Sequence, residues 1–480
     1  MFKSKVKQRP MFTPRRRARR RFSLLGAIIT VGLFLVSLEL LTRIFFDLAG
    51  NQTEFAQIDK SNPIDAYKLD FKSGDLNNRA KRSDFLLAQS NMSLGYSLVE
   101  NQQHKFWQIN QAGFRDRDPL PLVKPQNEIR IFLLGNSTAF GYGSSSNSQT
   151  ISDQLETRLQ QRLEQQQATP EIYQSDLPLT DKAKQQKNLA NPPKTKQQKN
   201  LAKPPKIKPG KYRIINAAVP GYASGNELAQ IALQVLKYQP DLIIMLNGYQ
   251  DLMLPSDRKA THIPVAQVAQ DDQPNSLGTY LDQLIEPLLK ESYLAKVTAK
   301  YWDKSQPEDV KADFLLDEQT ENLVKHLPQN KPELEKRIAR YVEHQKQILN
   351  LSTAAQVPLL IAIQPEITGR NPSKLDSTEG ETITELGRTY IERVRSDYPA
   401  FTTAAFNLAQ SYPDNIKVLN LYKLSDKYPS PSFIDSIHLS EVANEKLAEQ
   451  LYYGIASIPK MQQTPPPAKP LQPVSTKDRK

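Results

Sequence analysis

Cysteine is absent from the 480 residues. That excludes disulfides, a thiolate nucleophile, cysteine-ligated zinc and an acylated-cysteine anchor. Histidine is scarce, with five in the chain: His104, His262, His326, His344 and His438. The first four stand in polar or helical contexts without partners at metal-ligand spacing and read as surface residues. His438 differs, because it follows Asp435 by three residues and precedes a helix-like run. Also missing are the lysine of a phosphate-binding P-loop and the glycine-rich turn of a dinucleotide site, which argues against nucleotide binding. A basic balance is missing from most of the chain despite a net charge of +12. Residues 1–21 hold ten Lys and Arg and no acid, residues 181–211 hold ten Lys against one Asp, and residues 460–480 hold five against one. Without those three segments the remainder is acidic, so a nucleic-acid surface is not expected.

Long apolar runs are confined to one place. After the arginines of residues 15–21 come Phe22 to Leu38, almost wholly apolar, then Glu39, Leu40 and Leu41. A helix needs about 20 apolar residues to cross a bilayer, so residues 22–42 are expected to form a transmembrane helix. Arginine before the span and acid after it place the N-terminus in the cytoplasm and the rest of the chain outside the cytoplasmic membrane. The apolar stretch is long for a cleaved signal, and no small-x-small cleavage site follows it promptly, so an uncleaved anchor is expected.

The remaining chain divides by composition. Residues 43–128 are polar with aromatic patches and no sustained period, and read as a juxtamembrane arm packing on the main domain near Phe106-Trp107 and Gly113-Phe114. From residue 129 short apolar runs alternate with helical periods, the pattern of parallel strands joined by helices. Strands are expected at 129–134, 212–216, 242–246, 359–363 and 416–421. Helices are expected where Ile151, Leu155, Leu159 and Leu163 recur, at 228–238, around 334–351 with Ile338, Tyr341 and Ile348 inward, and from Val442 to Leu451 with Ser440 as N-cap. Residues 184–195 (KQQKNLANPPKT) repeat almost unchanged as 196–207 (KQQKNLAKPPKI). Two such units cannot stack as a solenoid, and their lysine, glutamine and proline bury too little to fold. The segment of about 168–211 is therefore expected to be a disordered insert, residues 255–332 a lid, and 459–480 a disordered tail.

Three blocks fall at the C-terminal ends of these strands, where open parallel sheets gather their ligand sites, and a fourth comes later, before the closing helix. Gly135-Asn136-Ser137 follows the first strand and opens a helix, delivering Ser137 to that edge. Taken alone, a plain loop or a phosphate-binding turn would look similar. Gly221 follows the second strand, where a glycine can expose the backbone N–H that an oxyanion hole requires. Gly248-Tyr249-Gln250-Asp251 follows the third, offering the Gln250 amide as a further donor, with Asp251 as a brace. Glu366, just past the fourth strand, is expected to have a turn role, with pocket lining as the alternative. Asp435 and His438 close the series, since a serine nucleophile needs a base and the base needs an orienting carboxylate.

In this order the blocks resemble those of the SGNH hydrolases, also called GDSL-type esterases. That family carries a Gly-Asp-Ser block, a glycine block, a Gly-x-Asn-Asp block and a late Asp-x-x-His. The resemblance covers residues 129–458 apart from the inserts. It implies a three-layer α/β/α, flavodoxin-like fold around a central parallel sheet. It further implies Ser137 as nucleophile, His438 as general base, Asp435 as its orienting partner, and an oxyanion hole of the Ser137 and Gly221 N–H groups with the Gln250 side chain. No cofactor or metal is implied. Two departures stand out: Asn136 replaces the family's Asp, and Gln250 replaces its Asn, moving the donor by about one carbon–carbon bond. The expected activity is acyl transfer from an ester, with water as acceptor in an esterase or a sugar hydroxyl in an O-acyltransferase. Tethering beside the cell envelope makes its glycans or lipids the natural substrates. The competing expectation is a glycan-binding or scaffolding protein that keeps the fold without efficient turnover. Nothing in the sequence speaks to oligomeric state.

Overall fold

The structure, a computed structural model, describes residues 63–71, 85–91, 93–173, 203–258, 322–423, 428 and 430–463. The basic segment, the expected span at 22–42, most of the tandem repeat, most of the expected lid and the tail from residue 464 lie outside them. Among the described residues no helix is long and apolar enough to cross a membrane.

The arm has more structure than its irregular pattern suggests. Strands β1 (Leu69–Asp70), β2 (Leu86–Asn91) and β3 (Gly95–Leu98) form a small sheet, with β1 parallel and β3 antiparallel to β2. Leu86, Leu87 and Ala88 at the start of β2 are all buried, so no polar–apolar alternation betrays that end of the strand. Tyr67, Tyr96, Phe106, Trp107 and Phe114 join the same hydrophobic core as the α/β body. Tyr222 Oη donates to the Tyr96 carbonyl at 2.5 Å, and Tyr96 Oη donates to the Pro220 carbonyl.

The body is a five-stranded, wholly parallel sheet of β4 (Glu128–Gly135), β5 (Lys211–Asn216), β6 (Leu242–Asn247), β7 (Leu359–Ile363) and β8 (Ile416–Asn420), in the order β5-β4-β6-β7-β8. Every residue of β4, β6 and β7 is buried. Helices cover both faces of such a sheet, which is why these strands read as continuous apolar runs. Helix Ile151–Ala168 packs with helix Glu441–Ala456, while Ser224–Gln230, Lys331–Ala354 and Pro399–Ser411 form a separate packed group. The chain reverses its strand order beside β4, so the C-terminal end of β4 is the topological switch point where ligand sites form.

Local chemistry sets the helix ends. Thr150, Asn330 and Ser440 each cap a helix by accepting from the backbone N–H of Asp153, Glu333 and Ala443. Several expectations need correcting. The helix at 228–238 begins earlier, at Ser224, and passes through a π turn at Ile231–Val235 into a 3-10 turn. Val442 is 48% exposed and does not face the core, where Ala443, Leu447 and Leu451 do. Two helices between β7 and β8, Ser377–Asp397 and Pro399–Ser411, are not among the elements expected from the sequence. The repeat's last residue, Ile207, is fully buried, exchanges hydrogen bonds with the Gln166 side chain, and bridges to Gln462.

Gly135 closes β4 at φ +147°, and a Cβ there would lie 2.3 Å from the Leu246 carbonyl oxygen and 2.7 Å from Ala139 Cβ. Both neighbours belong to packed elements and cannot yield. Gly135→Ala should therefore destabilise the fold by about 3 kcal/mol or more, read as a lowered urea midpoint at unchanged slope. An unchanged midpoint would mean the turn is slack.

Candidate active site

Ser137 is the first residue of a one-turn helix, Ser137–Phe140, that starts where β4 stops. The Asn136 side chain caps that turn, its Oδ1 accepting from the Thr138 N–H at 3.0 Å, while its Nδ2 donates to Gln364 Oε1 at 2.9 Å. Gln364 Nε2 in turn donates to Thr138 Oγ1 at 3.2 Å. Asparagine does here what an aspartate could not, since one end of its amide accepts and the other donates. The Ser137 carbonyl receives the N–H groups of Gly141 and Tyr142 at 3.1 and 3.0 Å, so the turn is closed at both ends. Gly141 ends it in the left-handed region. Ser137 is buried.

Some 300 residues later the chain returns to this turn. Thr138 Oγ1 donates to the Ile437 carbonyl at 3.2 Å, placing the residue before His438 against the residue after Ser137. Asp435 Oδ2 lies 2.5 Å from His438 Nδ1. Asp435 Oδ1 accepts from the backbone N–H groups of Ile437 and His438 at 2.9 and 2.7 Å. Burial raises the Asp435 carboxyl, but the His438 charge and these donors outweigh it and hold the group below the usual carboxylate range. A carboxylate at Nδ1 fixes the proton there and makes Nε2 the basic nitrogen. The Tyr142 ring stacks on the imidazole, centroids 4.2 Å apart and planes 16° apart.

The remaining expected residues flank Ser137 on both sides. Gly221 follows β5, and its loop is held to the end of β4 by the Val219 N–H donating to the Gly135 carbonyl at 3.1 Å. Gln250 stands in the short helix Tyr249–Met253 after β6, buried, its Oε1 without a hydrogen-bond partner among the described residues. Asp251 braces that helix by accepting from the Ser224 N–H at 3.1 Å and Ser224 Oγ at 2.5 Å. His344 is not the surface residue its context suggested. Its Nδ1 lies 2.8 Å from Ser224 Oγ, and burial with the nearby Arg340 charge pushes the imidazole down to about 4. Glu366 is fully buried and caps the turn after β7 through the Thr368 N–H at 2.8 Å, which fits its turn role. Sequence reasoning missed Gln364 and Tyr142. The available signal for Tyr142 was a bulky ring between Gly141 and Gly143 just after the Ser137 block.

Behind the Gln250 helix lies a buried carboxyl, Glu227, 2.5 Å from the Asn247 side-chain amide at the end of β6. Burial and the neighbouring Asp251 push it up to about 8. Its folded value is thus above the unfolded one, so its contribution to stability is full below about pH 4 and is lost as pH rises toward 8. Glu227→Gln should flatten the fall in stability between pH 5 and 8, measured by urea unfolding at several pH values. An unchanged pH slope would show that Glu227 does not titrate there.

No protein-family model matches the chain, and no curated protein matches it. Solved structures do. An acetyl xylan esterase superimposes with a TM-score of 0.31 at 10% identity, covering 68% of this chain and 98% of its own. A lipase/acylhydrolase from Enterococcus faecalis gives 0.32 at 14% identity, covering 70% and 100%. A GDSL-like lipase from Parabacteroides merdae gives 0.32 at 10%, covering 70% and 98%. Likeness at these scores carries nothing about chemistry, which rests on this chain's own side chains.

Proposed function

We propose that the chain is a serine esterase or O-acyltransferase acting on ester-linked acyl groups, anchored by residues 22–42 with its α/β domain outside the cytoplasm. The observation that carries this reading is the 2.5 Å contact between Asp435 and His438, held against the Ser137 turn by the Thr138–Ile437 hydrogen bond. A surface Asp-x-x-His has no reason to bury its histidine beside a capped serine turn at the switch point of a parallel sheet. In the proposed reaction Ser137 Oγ attacks the ester carbonyl carbon while His438 Nε2 takes its proton. The oxyanion is stabilised by the Ser137 and Gly221 N–H groups and the Gln250 side-chain amide. The imidazolium, paired with Asp435, then protonates the leaving alkoxide, and an acyl-enzyme remains. Water or a second hydroxyl attacks the acyl carbon, His438 again taking the proton, and Ser137 is regenerated. Envelope glycans or lipids are the proposed substrates, because the expected anchor tethers the domain beside them.

Full-length chain in mild detergent should hydrolyse p-nitrophenyl acetate. Ser137→Ala should lower kcat by about 10³ or more, Asp435→Asn by about 10³–10⁴, and Gln250→Ala by about 10². Equal activity in the parent and Ser137→Ala would defeat the proposal, and an inactive parent would favour a binding role. The topology has its own check. A reporter active only outside the cytoplasm, fused after Lys480, should be active. A silent one would put the domain on the cytoplasmic side.

A further inference from the structure

The chain before β4 reaches the candidate base through a stack of aromatic rings. Tyr142 lies on the imidazole of His438 at 4.2 Å and 16°. Tyr67, from the arm, lies against Tyr142 with centroids 5.1 Å apart and planes tilted 39°. Tyr67 is itself fixed, its Oη donating to the Ser144 carbonyl at 2.6 Å and accepting from Arg115 Nη2 at 2.8 Å. Arg115 Nη1 donates to the Phe140 and Gly141 carbonyls, both at 2.9 Å, the last carbonyls of the Ser137 turn. The Tyr142 N–H also donates to the Ser137 carbonyl at 3.0 Å. One residue thus touches the candidate nucleophile through its backbone and the candidate base through its ring. Its backbone has little room to move. Gly141 and Gly143 flank it at φ +87° and +81°, and a Cβ on Gly143 would meet Ile434 Cδ1, on the loop that carries His438, at 2.4 Å.

We infer that Tyr142, backed by Tyr67, is a positioning residue for His438: it fixes the ring plane and stabilises the imidazolium that forms when Ser137 gives up its proton. The inference rests on the acyl-transfer reading. An aromatic face attracts a cation lying over it, and more strongly where water is excluded. Tyr142 and His438 are both nearly fully buried. Asp435 meets the imidazole at Nδ1, and Tyr142 supplies a π surface over its face. The other charged groups nearby are Arg115, beyond Tyr67, and Glu441, which accepts from the Ser145 N–H at 3.0 Å. Neither belongs to the stack, so substituting Tyr142 leaves both in place.

The test compares Tyr142→Phe and Tyr142→Leu in the full-length chain with p-nitrophenyl acetate. The phenylalanine variant keeps the face and should stay within about twofold of the parent. The leucine variant should lose about three- to tenfold in kcat at nearly constant KM. Its acid limb of kcat/KM should move to lower pH by about half a unit, because the protonated base has lost a stabilising partner. A general loosening of the fold would not lower kcat and shift the limb downward together. Parent-like kinetics in the leucine variant, equal losses in both variants, or a limb moving upward would overturn the inference. Should the leucine variant misfold, Tyr142→Phe is compared with pentafluorophenylalanine at the same position, which keeps the shape and reverses the ring's quadrupole. The pH limb should then fall with fluorination, and an unmoved limb would overturn the inference. NMR titration of isotope-labelled His438 needs no substrate. If the parent neither turns over nor reacts at Ser137, the acyl-transfer reading fails. The titration then decides the stack alone: a lower midpoint in the variant supports it, and an equal one overturns it.

Discussion

A thread of four buried polar groups, Asn136, Gln364, Thr138 and the Ile437 carbonyl, joins the turn after β4 to the loop of Asp435 and His438. It passes through the residue that follows β7, so the Ser137 turn, the sheet and the His438 loop are referenced to one another. Each link lies in a water-excluded interior, where a hydrogen bond is electrostatically stronger and an orphaned partner costs about 1–3 kcal/mol. That penalty makes the arrangement specific. Moving either loop leaves a buried amide or hydroxyl without its partner, so no intermediate position is comfortable. In the proposed reaction the 2.5 Å Asp435–His438 contact serves because this thread ties its loop to the turn that carries Ser137.

β4 pairs with both β5 and β6, and its C-terminal end is where the strand order reverses. Its terminal Gly135 lets the Leu246 carbonyl approach more closely than any side chain would allow. The chain can then leave the sheet at once and present Ser137 on the adjoining turn. β5 and β6 lie on either side; the loop after β5 carries Gly221 and the short helix after β6 carries Gln250, the expected oxyanion donors. Asp251 and Ser224 fasten that short helix to the neighbouring helix.

Much of this body was legible because strands buried on both faces declare themselves as unbroken apolar runs. The run Ile129–Leu134 sits within β4, and Leu359–Ile363 coincides with β7. The Ser440 cap and the alignment of the first three blocks with strand ends were also readable, since both depend on short-range chemistry. The arm was not. Its strands are short and no period marks them, so only its packing near Phe106-Trp107 and Gly113-Phe114 was legible. The polar thread was equally hidden, because Gln364 and Asn136 meet only after some 228 residues of chain have folded. Tyr142 illustrates the general limit. Flanking glycines announce an unusual turn, but the ring it stacks on lies far away in sequence.

The central claim is that Ser137 is a nucleophile activated by His438. The most direct measurement is reaction of the full-length chain with a fluorophosphonate probe, followed by peptide mass spectrometry. The account predicts modification at Ser137, slowed by orders of magnitude in His438→Ala with the fold intact. Modification at another serine, or a labelling rate at Ser137 indifferent to His438, would contradict it.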